Sequence, residues 1–335
     1  MRYVLFGIPL ILLVCLCMPL SSSQAAETVR LALGPAGFTL APVYLAVALG
    51  MFEEQGLAVK RISVPGPGLE VRALEGGQAD LAFTSGDSLL STPPGRPLLV
   101  VYSGLQRPIV NWVMRGEAAR RHGISQGSPL SQKLRALRGL SVGVTAPGSL
   151  GERLATYVAA REGLRIGEDI RLISLGRSDG WAAALRDGRV DVGLNLVPLP
   201  EMAVVREEAV SLINYARGED PGLSEFLMGV LLVRTELAQK QEEKVRRATR
   251  ALYQAVRWAL RSPTAKIAGA LQPFMVRADS REIAEGVKAI LPALNPYGLV
   301  TERAFTNTAD VVEKAGSLRR RIRFEETVAN QFLPG

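Results

Sequence analysis

Leu74-Glu75-Gly76-Gly77-Gln78-Ala79-Asp80-Leu81-Ala82-Phe83-Thr84 returns later in the chain as Leu185-Arg186-Asp187-Gly188-Arg189-Val190-Asp191-Val192-Gly193-Leu194-Asn195. Each copy ends an amphipathic stretch, turns on glycine and enters a short apolar run through aspartate, which reads as helix, turn and buried strand. The offset is 191 minus 80, or 111, and 188 minus 77 gives the same value. At that offset the β-like run Val29 to Leu33 falls on Leu140 to Val144, and Gly34 falls on Thr145. A period of this length is too long for a solenoid, so it marks two similar α/β lobes, each built on a mostly parallel sheet flanked by helices.

Working outward, Val29 to Leu33 reads as a strand, Leu40 to Glu54 as a helix ending near Gly56, and Leu57 to Val64 as a second strand. A helix from Leu69 to Glu75 and a strand from Asp80 to Phe83 complete the first lobe's pattern. Gln106 to Gly116 reads as the first crossover between lobes, and Phe226 to Val233 as the return. Hinge rotation is expected near Met114 and Val230. Beyond the return, Glu242 to Arg261 is amphipathic, Ser262-Pro263 reads as a helix start, and Asp279 with Glu282 predicts a capped helix over Ser280 to Leu291. The expected organisation is a signal peptide over 1–26, lobe I over 27–110, lobe II over 111–227, and a return to lobe I with C-terminal helices over 228–335.

The N-terminus sets the compartment. Arg2, an apolar run from Val4 to Leu20 and the small polar stretch Ser21 to Ala26 follow the order of a secretory signal peptide, with cleavage near Ala25 or Ala26. Export would be to the periplasm. Both cysteines, Cys15 and Cys17, would leave with the signal, and His122 is the one histidine of the 335 residues. Zinc sites, iron–sulfur clusters, thiol nucleophiles and disulfide scaffolds are thereby excluded, and no cofactor or metal is expected. Removing Arg2 from 40 Lys and Arg leaves 39 against 32 Asp and Glu, a net charge of +7. Arg319-Arg320-Arg321 with Arg323 reads as a solvated face, and no basic patch interleaved with aromatics points to nucleic acid.

In open parallel sheets a ligand binds beyond the carboxyl ends of the strands. Four loops stand there: Gly34 to Thr39, Thr84 to Asp87, Thr145 to Ser149, and Asn195-Leu196. Gly34 to Thr84 and Thr145 to Asn195 are both separations of 50 residues, so the loops would face each other in equivalent pairs. The candidate ligand-binding residues are Phe38, Thr39, Ser85, Gly86, Asp87, Ala146, Gly148, Ser149, Arg177 and Asn195. Small, hydroxyl-rich loops offer backbone N–H and side-chain O–H groups to a polar or anionic small molecule, although the same residues serve as ordinary turns and caps. Arg177 and Arg107 are candidate cations for an oxyanion, while Phe38, Trp112 and Trp181 could stack a flat ligand or simply pack. Asp80 and Asp191, at one repeat position, read as structural caps. Gly176-Arg177-Ser178-Asp179-Gly180 fits a serine elbow, but the partner histidine would have to follow it and His122 precedes it. Gly66-Pro67-Gly68 begins like a dinucleotide fingerprint and fails at Val71.

Leu45-Ala46-Val47-Ala48-Leu49-Gly50-Met51-Phe52-Glu53-Glu54-Gln55-Gly56-Leu57-Ala58-Val59 resembles the early segment of ABC-transporter solute-binding proteins. The branch is the one that takes sulfonates, taurine, nitrate or the pyrimidine precursor of thiamine. Gly77 to Asp80, Thr145 to Ser149, Gly188 to Asp191 and Val328 to Leu333 are similar to that family in the same order. The resemblance implies a two-lobed type II periplasmic-binding-protein fold joined by two crossovers. It further implies capture of a small-molecule solute without chemistry and transient docking to a membrane ABC permease, the protein itself being a monomer. No sulfonate- or nitrate-marking cluster of His or Arg stands at the specificity positions. A periplasmic sensor module and an enzyme on the same fold are the competing readings.

Overall fold

The computed structural model describes residues 26–66, 68–176 and 178–334. The expected signal peptide and Arg177 lie outside them. Two five-stranded sheets account for the two halves. One has the order β2-β1-β3-β10-β4, made of β1 (Glu27–Leu33), β2 (Leu57–Ser63), β3 (Leu81–Thr84), β4 (Leu98–Leu105) and β10 (Gly229–Arg234). The other has the order β7-β6-β8-β5-β9, made of β5 (Val110–Arg115), β6 (Ser141–Val144), β7 (Arg171–Ser174), β8 (Val192–Leu196) and β9 (Ala209–Ile213). We call the lobe containing β1 lobe I and the other lobe II.

The internal repeat is a repeat of register. Leu31 lies opposite Leu81 and Val142 opposite Val192, each pair 50 apart; Glu27 lies opposite Leu57 and Ser141 opposite Arg171, each 30 apart. Glycine at 77 and 188 adopts φ of 74° and 73°, a left-handed turn that side chains resist. Directly after it, Asp80 accepts the Arg30 N–H at 2.9 Å, and Asp191 accepts the Ser141 N–H at 3.0 Å and its hydroxyl at 2.7 Å. Arg30 and Ser141 are themselves 111 apart, so both aspartates do the same work: each ties the entry of the strand it precedes to the neighbouring parallel strand. This bears out the capping expectation.

In each sheet one strand runs against the rest. β10 is antiparallel to both β3 and β4, and β5 to both β8 and β9. Each of these strands is laid down immediately after the chain crosses from the other lobe. Every residue of β3 and of β10 is buried, as a strand covered on both faces must be.

The crossovers are therefore 106–109 and 214–228. Met114 and Val230, where rotation was expected, sit inside β5 and β10 with partners on both sides, so neither can turn without breaking a ladder. The two crossovers are instead bonded to each other: Phe226 N–H donates to Gln106 O at 2.8 Å and Met228 N–H to Leu105 O at 3.2 Å. Arg107 reaches from the first to the Ser224 carbonyl of the second at 3.1 Å, and to Pro292 O at 2.8 Å. It clips the two crossovers together.

Other details depart from the sequence reading for local reasons. The helix expected over Leu40 to Glu54 is Ala41–Ala48, interrupted by Gly50 at φ 68° before a single turn, Met51–Glu54. Pro263, rather than Ser262, is the residue flanking the Thr264–Leu271 helix. Asp279 and Glu282 form the expected reciprocal capping box of Ser280–Ile290. Within the basic run, Arg320 turns inward to a buried ion pair with Glu75 while its neighbours stay at the surface. Among the described residues no helix is long and apolar enough to cross a membrane.

Asp80→Ala and Asp191→Ala should each destabilise the fold by about 1–3 kcal/mol, because each leaves backbone donors unpaired at a half-buried strand entry. Urea unfolding midpoints check this. Their hydrogen-bonding partners hold both carboxyls below the ordinary 3.8 against the opposing effect of burial, so this stability is fully present above that value and is lost as pH falls through the depressed one.

Candidate functional site

The carboxyl ends of β1, β3, β6 and β8 point into the space between the lobes, and the polar residues there meet across it. Ser85 takes extended backbone angles before the short helix Gly86–Ser91 and gives its hydroxyl to the Asp87 carboxylate. Asp87, 1% exposed, then receives Arg153 Nη1 at 2.5 Å. Arg153 belongs to lobe II, on the Leu150–Arg161 helix that follows β6, and is 7% exposed. This pair joins the lobes through the first turns of the helices that follow β3 and β6.

Lobe II orients Arg153 through its helix start. Ser149 accepts the Glu152 N–H at 3.2 Å and Glu152 reaches back to the Gly148 N–H at 2.5 Å, a closed cap that fixes the first turn. Ala146 and Gly148 are exposed, and Ser149 is half-buried. Asn195, buried at the end of β8, lies opposite Asn111 of β5. Its Oδ1 accepts the Leu196 N–H at 2.8 Å and its Nδ2 has no partner. Asn111 bonds Glu201 Oε1 at 2.6 Å and accepts the Tyr215 N–H at 2.9 Å. Burial pushes the Glu201 carboxyl up, Glu285 adds to it, and Asn111 and Arg217 oppose it.

On the lobe I side, Glu70 stands in the first turn of the Leu69–Glu75 helix and its Oε1 occupies the space a Cβ at Gly34 would need. Glu70 is buried and its Oε2 has no partner. Burial pushes its carboxyl up and the Asp87 charge pushes the same way, against the backbone N–H groups at Glu70 and Gly68. Beside this loop opens a groove of about 670 Å³ lined by Gly34, Pro35, Ala36, Arg61 and Phe274. Phe274 stacks on Tyr44 at 4.5 Å, with the Arg61 guanidinium 5.5 Å above it.

The structure brings Ser85, Asp87 and Asn195 into buried polar clusters and Ser149 into the cap that supports one of them. Phe38 is buried with its ring against Gly286, Thr39 is half-buried beside it, and Gly86 is held by its N–H on Leu227 O at 2.7 Å. Trp112 and Trp181 are core residues, 1% and 0% exposed, and Gly193 leaves the space that the Trp181 ring fills. Glu70, Arg153, Asn111 and Glu201 are the polar residues that the sequence reading left out. Glu70 carries a signal in the repeat, since it falls at the position of Trp181; Arg153 looks like any charge on a helix.

Removing one partner of the Asp87–Arg153 pair strands the other in a buried site, so Arg153→Met should cost about 3–5 kcal/mol and the Asp87→Asn, Arg153→Met double variant less than the sum of the single changes. A double-mutant cycle by urea unfolding reads this. For Glu70 the sign is opposite to that of the capping aspartates. A carboxyl raised in the folded protein makes the native state bind protons more tightly than the unfolded chain, so stability falls as pH rises above about 4.5 through the raised value. Glu70→Gln removes this loss. Its melting midpoint relative to wild type should climb across that interval and then level off.

The model of the family described as NMT1/THI5 like matches residues 38–266. Among curated proteins no relative matches the chain. The periplasmic aliphatic sulphonate binding protein SsuA from Escherichia coli is similar in structure, with TM-score 0.68 and 19% identity over 88% of this chain and 95% of that one. The periplasmic nitrate-binding protein NrtA from Synechocystis PCC 6803 gives TM-score 0.58 and 14% identity over 78% and 70%. The desulfurization enzyme DszB shares the fold too, with TM-score 0.59 and 17% identity over 91% and 97%. These likenesses establish the two-lobed type II periplasmic-binding fold, and the family match extends over most of the chain: it belongs to the NMT1/THI5-like family.

Proposed function

We propose that this protein is the exported solute-binding component of an ABC importer, which captures a small polar solute between lobe I (27–110 and 228–335) and lobe II (111–227). The observation that carries the reading is the Asp87–Arg153 pair: two lobes of matched register meet through buried polar side chains at the carboxyl ends of their strands. The solute binds the closed arrangement better than the open one and so shifts the population toward closure, rotating the lobes about 106–109 and 214–228. A membrane permease reads the closed surface. The solute leaves unchanged, a role consistent with His122 being the one histidine and exposed, and with cysteines that fall only at positions 15 and 17. The protein acts in the periplasm as a monomer.

Thermal melting of the purified chain from Glu27 onward, against sulfonates, nitrate, carboxylates, amino acids, amines and pyrimidines, tests this. A true solute at about 100 times its Kd should stabilise the protein by about 2.7 kcal/mol, a rise of a few degrees in midpoint. Product formation from the stabilising compound would make the protein an enzyme; a flat response across the panel would remove the solute-binding reading.

A further inference from the structure

The lobe I wall of the cleft carries a charge that the fold does not require. At the 111-residue offset Glu70 corresponds to Trp181, and the two helices concerned end together at Glu75 and Arg186. Lobe II fills that position with a core side chain that is 0% exposed, whereas lobe I fills it with a carboxylate that is 5% exposed and has one oxygen unpartnered. A buried acceptor without a donor is costly unless something supplies the donor. The charge that acts on Glu70 is Asp87, of the same sign. Among the described residues, the cation bonded to Asp87 is Arg153, which comes from the opposite lobe, and no cation forms an ion pair with Glu70. Opening the cleft would leave lobe I with both carboxylates and take Arg153 away with lobe II.

Charge arithmetic then chooses the solute. Ionised, the buried groups Glu70, Asp87 and Arg153 sum to one negative charge. A bound cation brings that sum to zero and an anion makes it minus two, which a buried site does not tolerate. We propose that Glu70 and Asp87 seat the positively charged nitrogen of the solute, so that the protein takes an amine or amidinium rather than a simple oxyanion. Arg153 remains in the site and counts in that sum, with Nη1 on Asp87 and Nε unpartnered. This inference deepens the solute-binding reading and rests on it.

The experiment is calorimetric titration with agmatine, putrescine, benzamidine, choline and arginine, and with isethionate and nitrate as anions. Wild type and Glu70→Gln are compared, the variant's fold being checked by its melting midpoint, which should not fall. At least one cation is expected to bind wild type, with affinity lowered about tenfold or more in Glu70→Gln, and the anions to give no heat. Binding of isethionate or nitrate with no cation binding would overturn the cationic assignment and leave the solute-binding reading standing. A cation that binds Glu70→Gln as well as wild type would remove Glu70 from the seat. No binding by any of the compounds would count against this assignment, and the broader melting panel then decides whether the solute-binding reading falls with it.

Discussion

Each sheet of this protein is completed by a strand that arrives from the other lobe. β10 separates β3 from β4, and β5 separates β8 from β9, so neither sheet closes its hydrogen-bond ladder until the chain has crossed. The first crossing strand enters its sheet after the short connection 106–109 and the second after the longer 214–228, and the two crossovers lie side by side. They bond to one another through Phe226 and Gln106 and are clipped by Arg107. Strand ladders tie each lobe together internally, and this pair of connections joins one lobe to the other. A cleft opposite the crossovers is the geometric consequence of the strand exchange, before any ligand is considered.

How firmly that cleft stays shut depends on a balance of large opposing terms. The Asp87–Arg153 pair gains from the low dielectric between the lobes and loses from the desolvation of both ions, and such pairs come close to cancelling. Polar atoms left without partners on the same surfaces, Glu70 Oε2, Arg153 Nε and Asn195 Nδ2, weigh against closure. The Glu302–Lys314 helix pulls the other way: it packs on the Leu150–Arg161 helix of lobe II, and its Thr308 accepts the Leu227 N–H of the second crossover at 3.0 Å. The contact between the lobes is thus a small difference between large terms, and a modest change in any of them alters it.

The parallel strands were legible because they repeat. Gly77 with Gly188 and Asp80 with Asp191 fix turn and cap at the same spacing in both lobes, and the register follows from them. The reversed strands were read only as crossover segments, since an apolar run such as Leu227 to Val233 has the same pattern in either direction; direction comes from where the chain was before. The hinge was misplaced for the same reason, into β5 and β10. In the cleft, Ser85, Asp87 and Asn195 could be located as loop residues at strand ends, but nothing local separates Arg153 from the arginines that line the surfaces of other helices. Its partner is 66 residues away and becomes a neighbour only through the crossing of the chain.

Comparing the two lobes position by position separates what the fold needs from what the cleft does. Where the demand is architectural the copies agree: glycine at 77 and 188, aspartate at 80 and 191, buried aliphatics at 31 and 142. Where the strands deliver residues to the space between lobes they part. Gly34 stands against Thr145 and Thr84 against Asn195, and on the helices Glu70 stands against the core residue Trp181. Two lobes with one fold need no such differences to pack their sheets, and symmetry would make the cleft walls alike. The asymmetry sets Glu70 and Asp87 on lobe I near Arg153 of lobe II, and the Asp87–Arg153 pair spans the two. The unpartnered oxygen of Glu70 leaves lobe I with a hydrogen-bond acceptor still to satisfy at a position where lobe II has only a core side chain.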